Sequence, residues 1–225
     1  MTNLKKFTQK KPAFTMLELV FVIVVLGILA AIAMPRLDRD LKQEAADNIL
    51  SDIRYVQHLA LMDDKQRFDD PKWQQSFWKI MFGTCTGTDK FYMLGSDDDM
   101  DGGASGFFDQ DESAIDPTNG KSMFWVNGTD CSDGGDNTVS DRIFLTHKFG
   151  IKDISTSGGC ANNQYLGFDH FGRPHNGFTG STSPNSASYM STACTFTFTM
   201  SDDDTFDITI EPEAGFAYIV GQESS

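Results

Sequence analysis

The segment Phe14 to Met34, FTMLELVFVIVVLGILAAIAM, is apolar except for Thr15 and Glu18. As a helix rising 1.5 Å per residue it extends roughly 30 Å, about the thickness of a hydrocarbon core. It therefore reads as one transmembrane helix. Lys5, Lys6, Lys10 and Lys11 stand in front of it, and none of the first thirteen residues is acidic. Positive flanks stay on the cytoplasmic side, which puts the rest of the chain outside. The whole chain carries a formal net charge of −14; without the four leading lysines, 14 basic residues face 32 acidic ones, a net of −18. An excess of this sign argues against nucleic acid as a partner, because phosphates are bound by Lys and Arg.

Glu18 is the exception in the run. A carboxylate near the start of a membrane helix is costly, and it marks a partner or a function unless it reaches the interface. The stretch Lys10-Lys11-Pro12-Ala13-Phe14-Thr15-Met16-Leu17-Glu18 resembles the processing site of type IV pilins and type II secretion pseudopilins. The resemblance implies cleavage between Ala13 and Phe14 by a prepilin peptidase, followed by N-methylation of Phe14. The family usually has Gly before the cut; Ala13 is the next smallest residue, so cleavage is still expected. Glu18 then falls where the family carries its acid, five residues into the mature chain, and Pro35 where these helices commonly carry a proline. The resemblance implies pairing of Glu18 with the Phe14 amine of a neighbouring subunit during assembly. Other pilin subunits, an inner-membrane assembly platform and the membrane itself are the implied partners. The rival reading is a secretory signal peptide cut after Ala33, in Ala31-Ile32-Ala33, which would release a soluble protein beginning at Met34.

Beyond the apolar run, Leu37, Leu41, Ala45, Ile49 and Ile53 recur every four residues, with Ala46, Leu50, Val56 and Leu59 close to the same face. Arg36, Arg39, Lys42, Glu44, Asp47 and Asp52 fill the other side. The period predicts an amphipathic helix to about Met62. After a charged break, Trp73 to Phe82 reads as a helical turn leading into a strand. The remainder is rich in Gly, Asp, Asn, Ser and Thr, which favours turns. Strands are expected at Phe91–Leu94, Met123–Val126, Arg142–Thr146, Tyr165–Phe168, Cys194–Met200, Thr205–Glu211 and Phe216–Val220. CTFTFTM and TFDITIE alternate strictly and form a hairpin across SDDD. The expected fold is α+β: a long N-terminal helix packed on a mainly antiparallel β head. Its parts are a leader (1–13), a transmembrane helix (14–34), an amphipathic continuation (35–63) and a periplasmic head (64–225).

Cys85, Cys131, Cys160 and Cys194 form no CxxC pair, so zinc and thioredoxin-like chemistry are not indicated. Four cysteines in an exported head suggest two disulfides; in a cytosolic head they would be free thiols. Order alone allows three pairings, and Cys85–Cys131 with Cys160–Cys194 is the working expectation. Asp97-Asp98-Asp99-Met100-Asp101-Gly102 contains D-x-D-x-D-G, the opening half of a calcium loop, in which Asp97, Asp99 and Asp101 converge on one cation. Phe108 stands at the twelfth position, so this is not an EF-hand. Asp109, Asp111 or Glu112 can complete a non-standard calcium site; the alternative is a solvated acidic turn. The four histidines show no zinc spacing and read as surface or turn residues.

Gly167 to His175, GFDHFGRPH, resembles the F-D-x-x-G-R-P pattern of H-type minor pseudopilins and related minor pilins. Its physical reading is a strand ending at Phe168 and a tight turn at Gly172, with Arg173 bonding nearby carbonyls. No nucleophile elbow, phosphate loop or dinucleotide fingerprint occurs. The chain reads as a non-enzymatic minor subunit of a type II secretion pseudopilus, or of a type IV pilus. The reading from another class is a secreted, calcium-stabilised β domain.

Overall fold

A computed structural model describes residues 15–161 and 163–223; the side chains of residues 31–40 and Ala104 fall outside that description. The chain divides into two compact units, residues 1–41 and 42–225. Helix α1 (Met16–Met62) contributes to both, and its backbone stays helical through Pro35. The kink expected at Pro35 concerns a side chain outside the description, as does Leu37. Ala13, Phe14 and the leader lie outside it too.

In the second unit α1 buries Ala45, Ala46, Ile49, Leu50, Ile53, Val56 and Ala60. Successive steps of three or four residues keep these side chains on one face. The expected stripe is therefore present, but it begins at Ala45: Leu41 is 40 % exposed. Asp52 corrects the reading more sharply. Taken as an outward polar residue, it is buried, accepting hydrogen bonds from Tyr92 and Arg142.

The stripe packs against a head of two four-stranded antiparallel sheets. The first runs in the order β2 (Lys90–Gly95), β1 (Trp78–Thr84), β4 (Tyr165–Phe168), β5 (Pro174–His175). The second runs β3 (Ile151–Gly158), β6 (Cys194–Met200), β7 (Thr205–Ile210), β8 (Ala217–Ile219). The expected hairpin is β6–β7, with Phe196 opposite Ile208 and Phe198 opposite Phe206. The side-chain period of two turns Cys194, Phe196, Phe198 and Met200 inward, and Phe82 from β1 meets Phe196 and Phe198 there.

Two expected strands are absent. Arg142–Thr146 is a 3₁₀ turn (Asp141–Ile143) followed by a short helix α2 (Leu145–Phe149), ended by Gly150 at φ +73°. Met123–Val126 forms no ladder; Met123 instead exchanges backbone bonds with Leu94 and Ala114 at 2.9–3.0 Å. Two strands lie outside the expected set: the two-residue β5, and β3, which turns only Ile151 and Ile154 into the core and whose other residues (Lys, Asp, Ser, Thr, Gly) give no apolar alternation.

Both expected disulfides are formed, Cys85–Cys131 and Cys160–Cys194. The first joins the end of β1 to the loop before α2, and the second joins the loop after β3 to the start of β6. They close loops of 46 and 34 residues, each worth about 4 kcal/mol in the chain-entropy view.

Candidate functional site

At the N-terminal end Glu18 makes a reciprocal cap with Thr15. The Glu18 amide donates to Thr15 Oγ1, while the Thr15 amide and hydroxyl both donate to Glu18 Oε2, each at 3.2 Å. This is a capping box, Thr-x-x-Glu, which satisfies amides that the first helical turn leaves without partners. The Thr15-x-x-Glu18 spacing is a capping signature legible in the sequence. Every described side chain from Thr15 to Ala30 is exposed. Among the described residues no helix is long and apolar enough to cross a membrane. Within the apolar run that description covers residues 15–30, which is shorter than the roughly 20 residues a span requires.

The acidic loop after β2 gathers three carboxylates. Oxygens of Asp97, Asp99 and Glu112 lie within 4.8 Å of one another. Asp101 is not among them. It is exposed, and its amide donates to Asp99 Oδ1 at 3.2 Å, so the chain turns before its own carboxylate can join. Glu112 takes its place from a 3₁₀ turn (Gln110–Glu112), where its carboxylate accepts from the amides of Asp98 (2.6 Å), Asp99 (3.2 Å) and Asp109 (3.0 Å). The Asp109-x-x-Glu112 spacing is itself a capping signature, and it would have singled out Glu112.

Asp97 is fully buried, and no side chain hydrogen-bonds its carboxylate. Burial pushes its pKa up, against the pull of the Lys79 ammonium and a backbone hydrogen bond from Gly102. Lys79 is also fully buried and donates to the Gln75 carbonyl at 2.9 Å. Burial brings its pKa down to about 8, with Asp97, Glu112 and Asp98 opposing. Gly102 is required here: a Cβ would overlap the Phe107 carbonyl oxygen and stand 2.8 Å from Asp97 Oδ2.

The GFDHFGRPH segment is organised around Asp169. Its carboxylate accepts from the amides of Phe171 and Arg173 (both 3.0 Å), from Arg173 Nε (2.7 Å) and Nη2 (2.6 Å), and pairs with His175 Nε2 (3.2 Å). Burial acts to raise its pKa, but the bonds from His175 and Arg173 outweigh it and hold the carboxyl well below the ordinary carboxylate range. The tight turn is at Gly172, with φ +76°, as expected. Arg173 closes it on the Asp169 carboxylate, not on backbone carbonyls. His175 is buried and not a surface residue; its Nδ1 lies 2.9 Å from Ser188 Oγ. The buried Ser188 hydroxyl donates to the Asn185 carbonyl at 2.7 Å. The Ser188–His175–Asp169 line thus ties β5 to the turn at Ser186–Ser188 and presents no exposed nucleophile.

Compared with known proteins, residues 9–34 match the family described as the prokaryotic N-terminal methylation motif. No curated protein and no solved structure is significantly similar to the chain.

Proposed function

From a chain that carries the N-terminal methylation motif of the type IV pilin and pseudopilin family, we propose a non-enzymatic structural subunit that a prepilin peptidase cuts after Ala13. It is held in the inner membrane by its apolar helix and taken up into a filament through that helix. Within the family we place it as a minor subunit of a type II secretion pseudopilus, on the GFDHFGRPH segment and the terminal strands that follow it. A minor type IV pilin for adhesion, motility or DNA uptake is the neighbouring reading.

The observation that carries the proposal is the agreement, within residues 9–34, of the matched motif, the lysines before Ala13 and the acid at Glu18. Two further features support it. The apolar side chains from Met16 to Leu29 are exposed, as they must be to meet lipid or neighbouring helices. The head carries two disulfides, which suit an oxidising compartment outside the cytoplasm. Fractionation tests the proposal. The chain is expected to stay with membranes through an alkaline wash and to cross-link to other pilin-type subunits there. Recovery as a free periplasmic protein would overturn it and favour release after Ala33.

A further inference from the structure

We propose that the cleft beside the Asp169 turn binds one neutral sugar ring, a hexopyranose unit of a glycan. The cleft has a volume of about 240 Å³, below the roughly 300–1,000 Å³ of sites that hold drug-sized ligands, so it admits one small ring. It lies between the Trp73–Ser76 turn, the loop from β4 to β5 and the Ser186–Ser188 turn. A series of rings in contact lines it. Trp73 meets Phe77 at 5.3 Å between centroids, Phe77 meets His175 at 4.9 Å, and His175 meets Tyr189 at 5.7 Å. Phe77 and His175 are buried, whereas Trp73 and Tyr189 are half-buried and keep part of their ring surface open.

The polar groups decide the kind of ligand. Asp169 takes Arg173 through Nε and Nη2, at 2.7 and 2.6 Å, so the two charges cancel and the N–H groups of Nη1 are left to bond a ligand. His170 Nδ1 lies 3.1 Å from Asp64 Oδ1. The cleft thus offers no unpaired carboxylate to a cation, and a chain of net charge −14 repels anions. A pyranose ring has an apolar C–H face and hydroxyls around its edge. That combination matches half-open aromatic faces beside the Nη1 donors and the Tyr189 hydroxyl. The walls are fixed before any ligand arrives. The Asn185 amide donates to Gln74 Oε1 at 2.5 Å, and Gln74 Nε2 donates to the Asn185 carbonyl at 3.2 Å. The Arg173 guanidinium lies 5.6 Å from the centre of the Tyr189 ring and holds it against the Asp169 turn. A preformed wall spares a small ligand the cost of ordering it. The competing occupant is an aromatic side chain of another protein, which would cover the same faces but leave the Nη1 donors and the hydroxyl without partners.

The test uses the full chain in zwitterionic micelles, whose head groups carry no sugar. The probes are the methyl glycosides of glucose, galactose, mannose and N-acetylglucosamine. Saturation-transfer NMR is expected to show the ring protons of at least one of them bound, with a Kd on the order of 1 mM for so small a ligand. Trp73→Leu, which keeps apolar volume and removes the ring, is expected to weaken binding by about tenfold. Tyr189→Phe, which keeps the ring and puts folding at no risk, is expected to weaken it by about fivefold through loss of the hydroxyl. Trp125→Leu, a half-buried indole outside the cleft, is expected to leave it unchanged. Methyl glucuronide is expected to bind no more tightly than methyl glucoside. Absence of transfer to all four glycosides would overturn the site, as would equal weakening by Trp73→Leu and Trp125→Leu or unchanged binding by Tyr189→Phe. Preference for N-acetyltyrosine amide over every glycoside would overturn it in favour of a protein side chain, and tighter binding of the glucuronide would overturn the neutral ligand. The readout concerns the head alone, so it is independent of whether the leader is cut.

Discussion

Glu18→Ala chains are expected to be cut after Ala13 as efficiently as wild type and yet to be depleted from filaments by about a hundredfold. The free subunit assigns Glu18 a local job, the capping box with Thr15. Loss of a cap costs about 1 kcal/mol, which frays a helix end without preventing a long helix from forming. Assembly assigns a second job. The Phe14 amine of an adjacent subunit would be left in an apolar surrounding without its partner, a loss of about 3 kcal/mol or more, or roughly a hundredfold in the equilibrium. Glu18→Gln distinguishes the two. Glutamine at this position keeps the capping box but carries no charge. If charge pairing drives incorporation, Glu18→Gln fails as Glu18→Ala does. Normal filaments containing Glu18→Gln would reduce the residue to a cap. Processing and incorporation are read separately, by mass and by sheared filament fractions.

Arg142→Met is expected to destabilise the head by about 3–5 kcal/mol. Arg142 is the shared cation of two buried carboxylates. Its Nη2 donates to Asp52 on α1 and its Nη1 to Asp116, the latter at 3.3 Å. Tyr92 of β2 donates to the other Asp52 oxygen, and Asn48 donates to the Tyr92 hydroxyl at 2.9 Å. Ser140 and Thr118 complete the coordination of Asp116 at 2.5 and 2.7 Å. The network fastens α1 to the first sheet and to the loops before α2. Methionine fills the volume but leaves both acids uncompensated. The loss is expected as a lower denaturant midpoint at unchanged slope.

The pH dependence of the Arg142→Met deficit has a definite sign. Burial pushes the Asp52 carboxyl up to about 6 from 3.8, against the pull of Tyr92 and Arg142. A raised carboxyl favours the folded state in its protonated form. That contribution is complete below about pH 4 and is lost as pH rises through about 6. Without Arg142 the carboxyl rises further, so the deficit of Arg142→Met grows between pH 4.5 and pH 7.5. A deficit that shrinks over that range would mean that Arg142 does not compensate Asp52.

What could be read from the sequence follows from how local each signal was. Strict alternation placed β6 and β7, and the four-residue apolar period placed the end of α1, because both are properties of neighbouring residues. Asp52 was misread because its burial depends on Arg142, a partner 90 residues away. Strand β3 escaped because an edge strand that buries only Ile151 and Ile154 needs no apolar alternation. The acidic loop was half legible. The D-x-D-x-D-G spacing located Asp97 and Asp99, while the turn at Asp101 carried the third carboxylate away and Glu112 replaced it. The hub role of Asp169 was hidden for the same reason as Asp52: a short motif shows that a turn exists, not that one buried acid collects its amides and its arginine.

The central claim is maturation as a prepilin, and the mature N-terminus tests it most directly. Intact mass and terminal peptide sequencing of the chain from its native membrane are predicted to give a start at Phe14 with a methylated amine. A chain beginning at Met34 would contradict the account, making the apolar run a discarded signal and removing the assembly role of Glu18.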